Sequence, residues 1–309
     1  MKRVVPSYYK KFSCVGSECK HNCCIGWEID IDDDTLKAYD KVGGELGKRL
    51  QRNIDRCADA PHFILDDNDR CPFLNSDNLC DIIIEAGKEH LCMICSAHPR
   101  FKNYFSDRVE IGIGLSCEAA AKIILTDKEL FRLETSMDDE KADTLTDYER
   151  ELLELRDTFL MIVGDISIPI DDRAENILCM TGAYLPDITI GTIAKKFITL
   201  EIMSDEWREK LIFVEENDTP LSFDGYEDEA QRLIIYFIYR YLASEEYDGR
   251  TESVTAFCIL SAKIIVTLCR IFAKSLDDVI DICRLYSTEI EYSTDNVEAL
   301  IKYIEDNYE

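Results

Sequence analysis

Ten of the chain's 14 cysteines fall within residues 1–125, and their spacing is where chemistry is most legible. Three groups stand out: Cys14-x4-Cys19-x3-Cys23-Cys24 followed by Gly26-Trp27; Cys71-Pro72-Phe73-Leu74 with Cys80; and Cys92-x2-Cys95-x2-His98-Pro99-Arg100, with Cys117 further on and Cys57 apart. Thiolates at short spacing can converge on one metal centre, and four of them suffice for an iron–sulfur cluster or a structural zinc ion. Spacing does not decide between the two, since zinc would favour two C-x2-C knuckles and only Cys92/Cys95 has that form. The C-x3-C-x2-C run of radical enzymes is absent, because Gly26 stands at its third position. In extended chain Cys23 and Cys24 would point in opposite directions, so one can bind metal while the other packs or serves a second site.

These residues need elements to position them. WEIDID at 27–32 alternates apolar and acidic residues, as a short strand does. Asp32, Asp33 or Asp34 is placed to cap a helix from about Leu36 toward Arg56, weakened by Gly43, Gly44 and Gly47. Residues 57–80 read as irregular, 108–115 as a strand, and a helix should start near Cys117. Beyond 125 the pattern is helical: long apolar stripes at 142–163, 227–246 and 252–274, and shorter helices at 172–184, 192–203, 205–215, 276–286 and 295–307. Cys179, Cys258, Cys269 and Cys283 sit among apolar neighbours there and read as small buried hydrophobes. The expected fold is mainly α, with a small irregular α+β Cys-rich metal-binding N-terminal part. No G-x-G-x-x-G loop follows a strand, and GIGL at 112–115 is too short to count, so no Rossmann-type methyltransferase domain is expected.

Charge divides the chain at the same place. Residues 1–125 hold 17 basic and 20 acidic residues, a net −3, whereas 126–309 hold 18 and 42, a net −24. Two domains follow: a Cys-rich catalytic one at 1–125 and an acidic helical one at 126–309. The total of −27 repels phosphate, which argues against nucleic acid and anionic membranes and favours a basic, lysine-bearing partner. The first residues lack a secretory apolar run, and the apolar stretches at 233–239 and 264–269 are too short to span a bilayer. A cytoplasmic location is therefore expected, where clustered cysteines bind metals or do redox chemistry rather than form disulfides.

The order of these motifs resembles the flagellin lysine-N-methylase (FliB) family, which is related to a broader group of Cys-rich putative zinc- or iron-chelating domains. The resemblance is carried by Tyr8-Tyr9-x2-Phe12-x-Cys14-x4-Cys19-x3-Cys23-Cys24-x-Gly26-Trp27, by Cys71-Pro72-Phe73-Leu74 with Leu79-Cys80, by Gly87-x3-Leu91-x3-Cys95-x3-Pro99-Arg100, and by Ser116-Cys117-x2-Ala120-Ala121. It covers roughly residues 1–125; the remainder matches only in its helical, acidic character. The family implies methyl transfer from S-adenosylmethionine to flagellin lysines, with a bound [4Fe-4S] cluster. It carries Cys14, Cys19, Cys23, Cys24, Cys71, Cys80, Cys95 and Cys117 over as metal ligands, more than one cluster needs. Two centres, or a structural role for half of them, are both open. Cys57 and Cys92 look like additions. His98 stands where an aromatic residue is expected, and His90 and His98 read as solvent-facing histidines more readily than as ligands.

Lysine methylation is a polar displacement in which a neutral amine attacks the sulfonium methyl in line. Aromatic faces attract ammonium and sulfonium, which suits Tyr8, Tyr9, Trp27 and Tyr104. Glu110 or Asp30 is a carboxylate placed to take the proton or hold the ammonium. Arg100 offers a bidentate partner for the carboxylate of S-adenosylmethionine. Two other readings stand beside this one: a non-catalytic zinc- or iron-binding module, and an oxidoreductase or peptide-modifying enzyme using the same cluster.

Overall fold

A computed structural model describes residues 1–137, 141–244 and 247–308; the acidic run at 138–140 lies outside them. The chain forms two compact units, one of Met1–Phe12, Phe101–Ser116 and Ala120–Glu309, the other of Ser13–Arg100 and Cys117–Ala119. The boundary expected at 125 is therefore displaced. Residues 1–12 and 101–116 join the helical unit because Lys2–Pro6 lies inside its sheet. That sheet has four strands in the order Arg100–Tyr104, Arg108–Ile113, Lys2–Pro6, Leu133–Met137. Lys2–Pro6 pairs parallel with Arg108–Ile113, Val4 opposite Glu110, and antiparallel with Leu133–Met137, Val4 opposite Thr135.

Helices dominate the rest of this unit, close to where periodicity places them. Residues Asp147–Gly164 start at a capping box in which the Thr146 hydroxyl accepts from the Glu149 N–H (3.1 Å) and the Glu149 carboxylate accepts from the Thr146 N–H (2.7 Å). Thr189, Ser204 and Ser275 cap Ile190–Phe197, Asp205–Glu216 and Leu276–Tyr286 in the same way at one end. The helix Thr251–Phe272 lies at the centre: from Ser253 to Cys269 every side chain but Lys263 is buried. At 22 residues it is the one described helix long and apolar enough to cross a membrane, yet 83% of its most apolar window is packed inside the protein. Counting unbroken apolar runs misses it, because Ser261, Lys263 and Thr267 interrupt the run. Cys258, Cys269 and Cys283 are buried as expected, but Cys179 is exposed.

Two π-helical segments, Ile238–Leu242 and Ser287–Glu291, extend the helices before them. They bring Arg240 and Glu291 together at 3.1 Å, with Tyr236 and Tyr241 donating to the Glu291 carboxylate at 2.8 and 3.1 Å.

The second unit has short elements. The helix expected from 36 toward 56 is two, Asp33–Tyr39 and Gly44–Arg52, separated where Gly44 takes φ +72°. Residues 27–32 do not form a continuous strand. They make a single bridge, Asp30 to His62, beside the small hairpin of Ile54–Asp55 and His62–Phe63.

In the sheet, a Cβ on Gly112 would come 2.1 Å from the Phe101 ring. Gly112→Ala should lower stability by ~1–3 kcal/mol through overpacking. Chemical denaturation of both proteins checks this; an unchanged midpoint would count against the packing described.

Candidate metal centre

The Ser13–Arg100 unit is built round sulfur. Cys71 and Cys92 are buried in a core with Ile29, Ile31, Tyr39, Phe63 and Phe73, and Cys24, Cys80 and Cys95 pack against it. The backbone brings them together. The Cys71 N–H donates to the Cys24 carbonyl (2.8 Å) and the Gly26 N–H to that of Asp69 (2.9 Å), so the 24–26 and 69–71 segments pair. Residues 71–81 then fold back, with the Asp81 N–H on the Phe73 carbonyl (2.8 Å) and the Asn75 N–H on that of Leu79 (2.9 Å). Asn75 Oδ1 fastens the loop by accepting from the N–H groups of Asp77 and Leu79 (3.0 and 3.1 Å).

Three side chains hold these pieces in register. Arg49 donates to Asp81 (2.5 Å) and Glu85 (3.0 Å) while its guanidinium lies over the Phe73 ring, 5.3 Å from the centroid. Asp32 caps Asp33–Tyr39 through the Thr35 N–H (3.0 Å), and its other oxygen accepts from the Met93 N–H (2.8 Å), the residue between Cys92 and Cys95 that opens the helix Met93–Ala97. The Tyr39 hydroxyl donates to the His90 carbonyl (2.9 Å). None was singled out as a site residue in the sequence. Asp32 was visible only as one of three capping candidates, and Arg49 carries no motif.

The thiols act on one another. Burial pushes Cys71 up to about 11, and Cys80 and Cys92 add to the shift. Cys95 is raised by its hydrogen bond with Cys92 and by burial, with Cys24 and Cys71 contributing, while Cys92 is held lower by the same bond. Cys24 is raised by its bond with Cys23 and by burial, and feels Cys71 and Cys80. A second, outer group forms where Glu118 accepts from the N–H groups of Lys20 (2.9 Å) and His21 (3.1 Å). There burial, then the Glu118 charge, then Cys117 and Cys23 push Cys19 up to about 12. Cys23 thus stands between the two groups.

This arrangement differs from the one expected. Cys92, taken as an addition, is 0% exposed in the middle of the thiol core. Cys14, among the eight matched cysteines, is exposed, as is Cys57. Motif matching counts shared positions, and burial is invisible to it. A core that gathers five thiols offers the sulfur ligands that either a tetrathiolate zinc ion or an iron–sulfur cluster takes.

The remaining candidates divide between the units. Trp27 is half-buried in the thiol unit; its indole N–H donates to the Cys23 carbonyl (2.5 Å) and its ring lies 6.2 Å from that of His98. His98 is not a solvent-facing base: burial, then the Arg100 charge, lower it to about 4. Arg100 donates to the His98 carbonyl (3.4 Å). Tyr8, Tyr9, Tyr104 and Glu110 belong to the helical unit. Tyr8 is buried, Tyr9 already carries the Arg3 guanidinium 5.6 Å from its centroid, and Tyr104 is 55% exposed. Glu110 is 0% exposed and ion-paired with Arg156. A substrate lysine has no access to that carboxylate, so Glu110 is corrected from a proton acceptor to a buried structural charge. Asp30, the other carboxylate, is exposed.

The helical unit carries the family signature. Residues 156–309 match the model of the FliB lysine N-methylase C-terminal domain, so this part of the chain is similar to that family. The family model's match lies in the helical body, where the sequence showed a likeness only in helical, acidic character. The chain is 28% identical over 141 residues to the Lysine-N-methylase of Salmonella typhimurium strain LT2, a match covering 41% of this chain and 33% of the relative. It is 28% identical over 142 residues to the Flagellar biosynthetic protein FliU of Salmonella muenchen, covering 41% of this chain and 79% of the relative. The match thus spans about a third of the lysine-N-methylase's length. No solved structure matches.

Two stability measurements check these assignments. Glu110→Ala leaves Arg156 buried with only the exposed Asp157 as an acidic partner, and should cost about 3–5 kcal/mol; a variant as stable as the wild type would contradict the buried pair. Asp32→Ala removes a cap and the Met93 bond, and should cost about 1–2 kcal/mol. Amide exchange should rise at Met93, and protection left intact there would exclude the brace.

Proposed function

We propose that this chain is a cytoplasmic S-adenosylmethionine-dependent protein lysine N-methyltransferase acting on flagellin, and that its buried cysteines hold a [4Fe-4S] cluster. The match to the FliB C-terminal domain model and the names of the relatives support the lysine-methylating part. The observation that carries the cluster is the gathering of Cys24, Cys71, Cys80, Cys92 and Cys95 about one core. Four of these five are the ligand set we favour, with Cys19, Cys23 and Cys117 forming the outer group. A bound cluster would supply a polarising, electron-accepting centre in a site from which burial removes water.

The chain's own residues would do the rest. The attacking lysine must be neutral: its amine forms the new N–C bond as the methyl's C–S bond breaks, the sulfur leaves as a neutral thioether, and the proton lost from nitrogen goes to a base or water. The half-buried Trp27 offers an aromatic face to the sulfonium and to the methylated ammonium product. Arg100 pairs with the methyl donor's carboxylate.

Anaerobically prepared protein incubated with flagellin and methyl-labelled S-adenosylmethionine should place label on lysine; absence of labelled lysine would sink the methyltransferase reading. Iron and sulfide analysis tests the centre separately. Cys71→Ala and Cys92→Ala should lose most of the iron while Cys57→Ala and Cys179→Ala keep it, and a set in which no single cysteine matters would rule the thiol centre out.

A further inference from the structure

We propose that Glu28, Asp30 and His62 form a binding site for one divalent transition-metal ion, separate from the thiol centre. Backbone pairing builds the site. The Ile31 N–H donates to the Pro61 carbonyl (2.7 Å) and the Phe63 N–H to that of Ile29 (3.1 Å), with Asp30 bridged antiparallel to His62. Side chains alternate along such a segment. Ile29 and Ile31 enter the core, so Glu28 and Asp30 share the outer face. Phe63 is buried in turn, which leaves its neighbour His62 on the same outer face, across from Asp30. One donor atom from each of the three lies within 4.8 Å of the other two.

The imidazole is already oriented as a ligand. Its Nδ1 lies 3.0 Å from the Ala60 carbonyl oxygen and 3.3 Å from Glu28 Oε1. Metal-binding histidines hold one ring N–H on a carbonyl or carboxylate and offer the other nitrogen to the ion. With the proton on Nδ1, Nε2 carries the free lone pair. One imidazole and two carboxylates suit zinc, manganese or ferrous iron, whereas magnesium and calcium prefer oxygen alone. Glu28 and Asp30 are exposed, and Glu28 would turn away from Nδ1, which the Ala60 carbonyl still holds, to join Asp30 on the ion at the ligand distances of about 2.0–2.2 Å that such ions take. The ion would clasp the segment running from Cys24 to Asp32 onto the 54–63 hairpin. It would thereby brace two of the pieces that shape the thiol core.

Manganese(II) is the probe, since thiolates hold it poorly. The full chain is titrated anaerobically, free ion is followed by electron paramagnetic resonance, and pulsed measurement reads coupling to 14N. One saturable site with imidazole coupling is expected. His62→Ala should abolish the coupling, and both His62→Ala and Asp30→Asn should weaken binding by at least about tenfold with unchanged far-UV circular dichroism. Absence of saturable binding, binding without nitrogen coupling, or equal affinity in the variants would overturn the site. Methyl transfer is not the readout, so the outcome is independent of the proposed activity.

Discussion

Burying ionisable sulfur is the constraint on which the Ser13–Arg100 unit depends. A protonated thiol is a small hydrophobe and packs at little cost. A thiolate in the same place is a desolvated charge, which is why burial raises Cys71, Cys80 and Cys19. Five such groups beside one core cannot all ionise unless a cation offsets them. Metal binding there would therefore be coupled to the loss of several protons and to the order of the surrounding backbone. The unit has no long element to enforce that order: its longest helix, Gly44–Arg52, has nine residues. Single side chains substitute for it. Asp32 ties a helix start to the Cys92–Cys95 turn, and Arg49 ties the Cys71–Cys80 loop to the helix Gly44–Arg52.

The helical unit solves a related problem with ion pairs. Arg156 with Glu110, and Arg240 with Glu291, bury charge in a core that is otherwise apolar. Such pairs add little net stability over apolar packing, but losing one partner strands the other. Both pairs link distant parts of the chain. Arg156 reaches from the helix Asp147–Gly164 to the sheet, and the Arg240–Glu291 pair requires both π-helical turns to be in place. They specify which elements meet, more than how firmly.

What was legible in the sequence follows the range of the interactions. The helices after residue 140 were readable because apolar spacing is a local signal; Asp205–Glu216 and Thr294–Tyr308 fall within a residue or two of the expected bounds. Lys2–Pro6 was missed because its partners lie more than a hundred residues away in sequence. At the candidate site, cysteine types and spacing pointed to the segments whose thiols gather about one core, but nothing in the spacing says that Cys92 is interior or Cys14 exposed. Glu110 was chosen for being a carboxylate near the motifs; the Arg156 that occupies it comes from another segment. Glu28, Asp30 and His62 were unreadable as a set because 28–30 and 62 meet only through the bridge.

The excess of acid after residue 125 sits largely on outward faces: Asp171, Asp172 and Glu175 are exposed on one helix, and Asp205, Glu206, Glu209, Glu215 and Glu216 on another. At physiological ionic strength a surface field fades over about 8 Å. It cannot reach far, so it selects partners near contact by the sign of their surface. A lysine-rich protein gains from that field and nucleic acid loses, with or without chemistry at the thiol centre. The same field raises the local concentration of free cations, and the exposed Glu28 and Asp30 belong to the near-neutral part of the chain. Any ion held there would be selected by the type and geometry of its ligands.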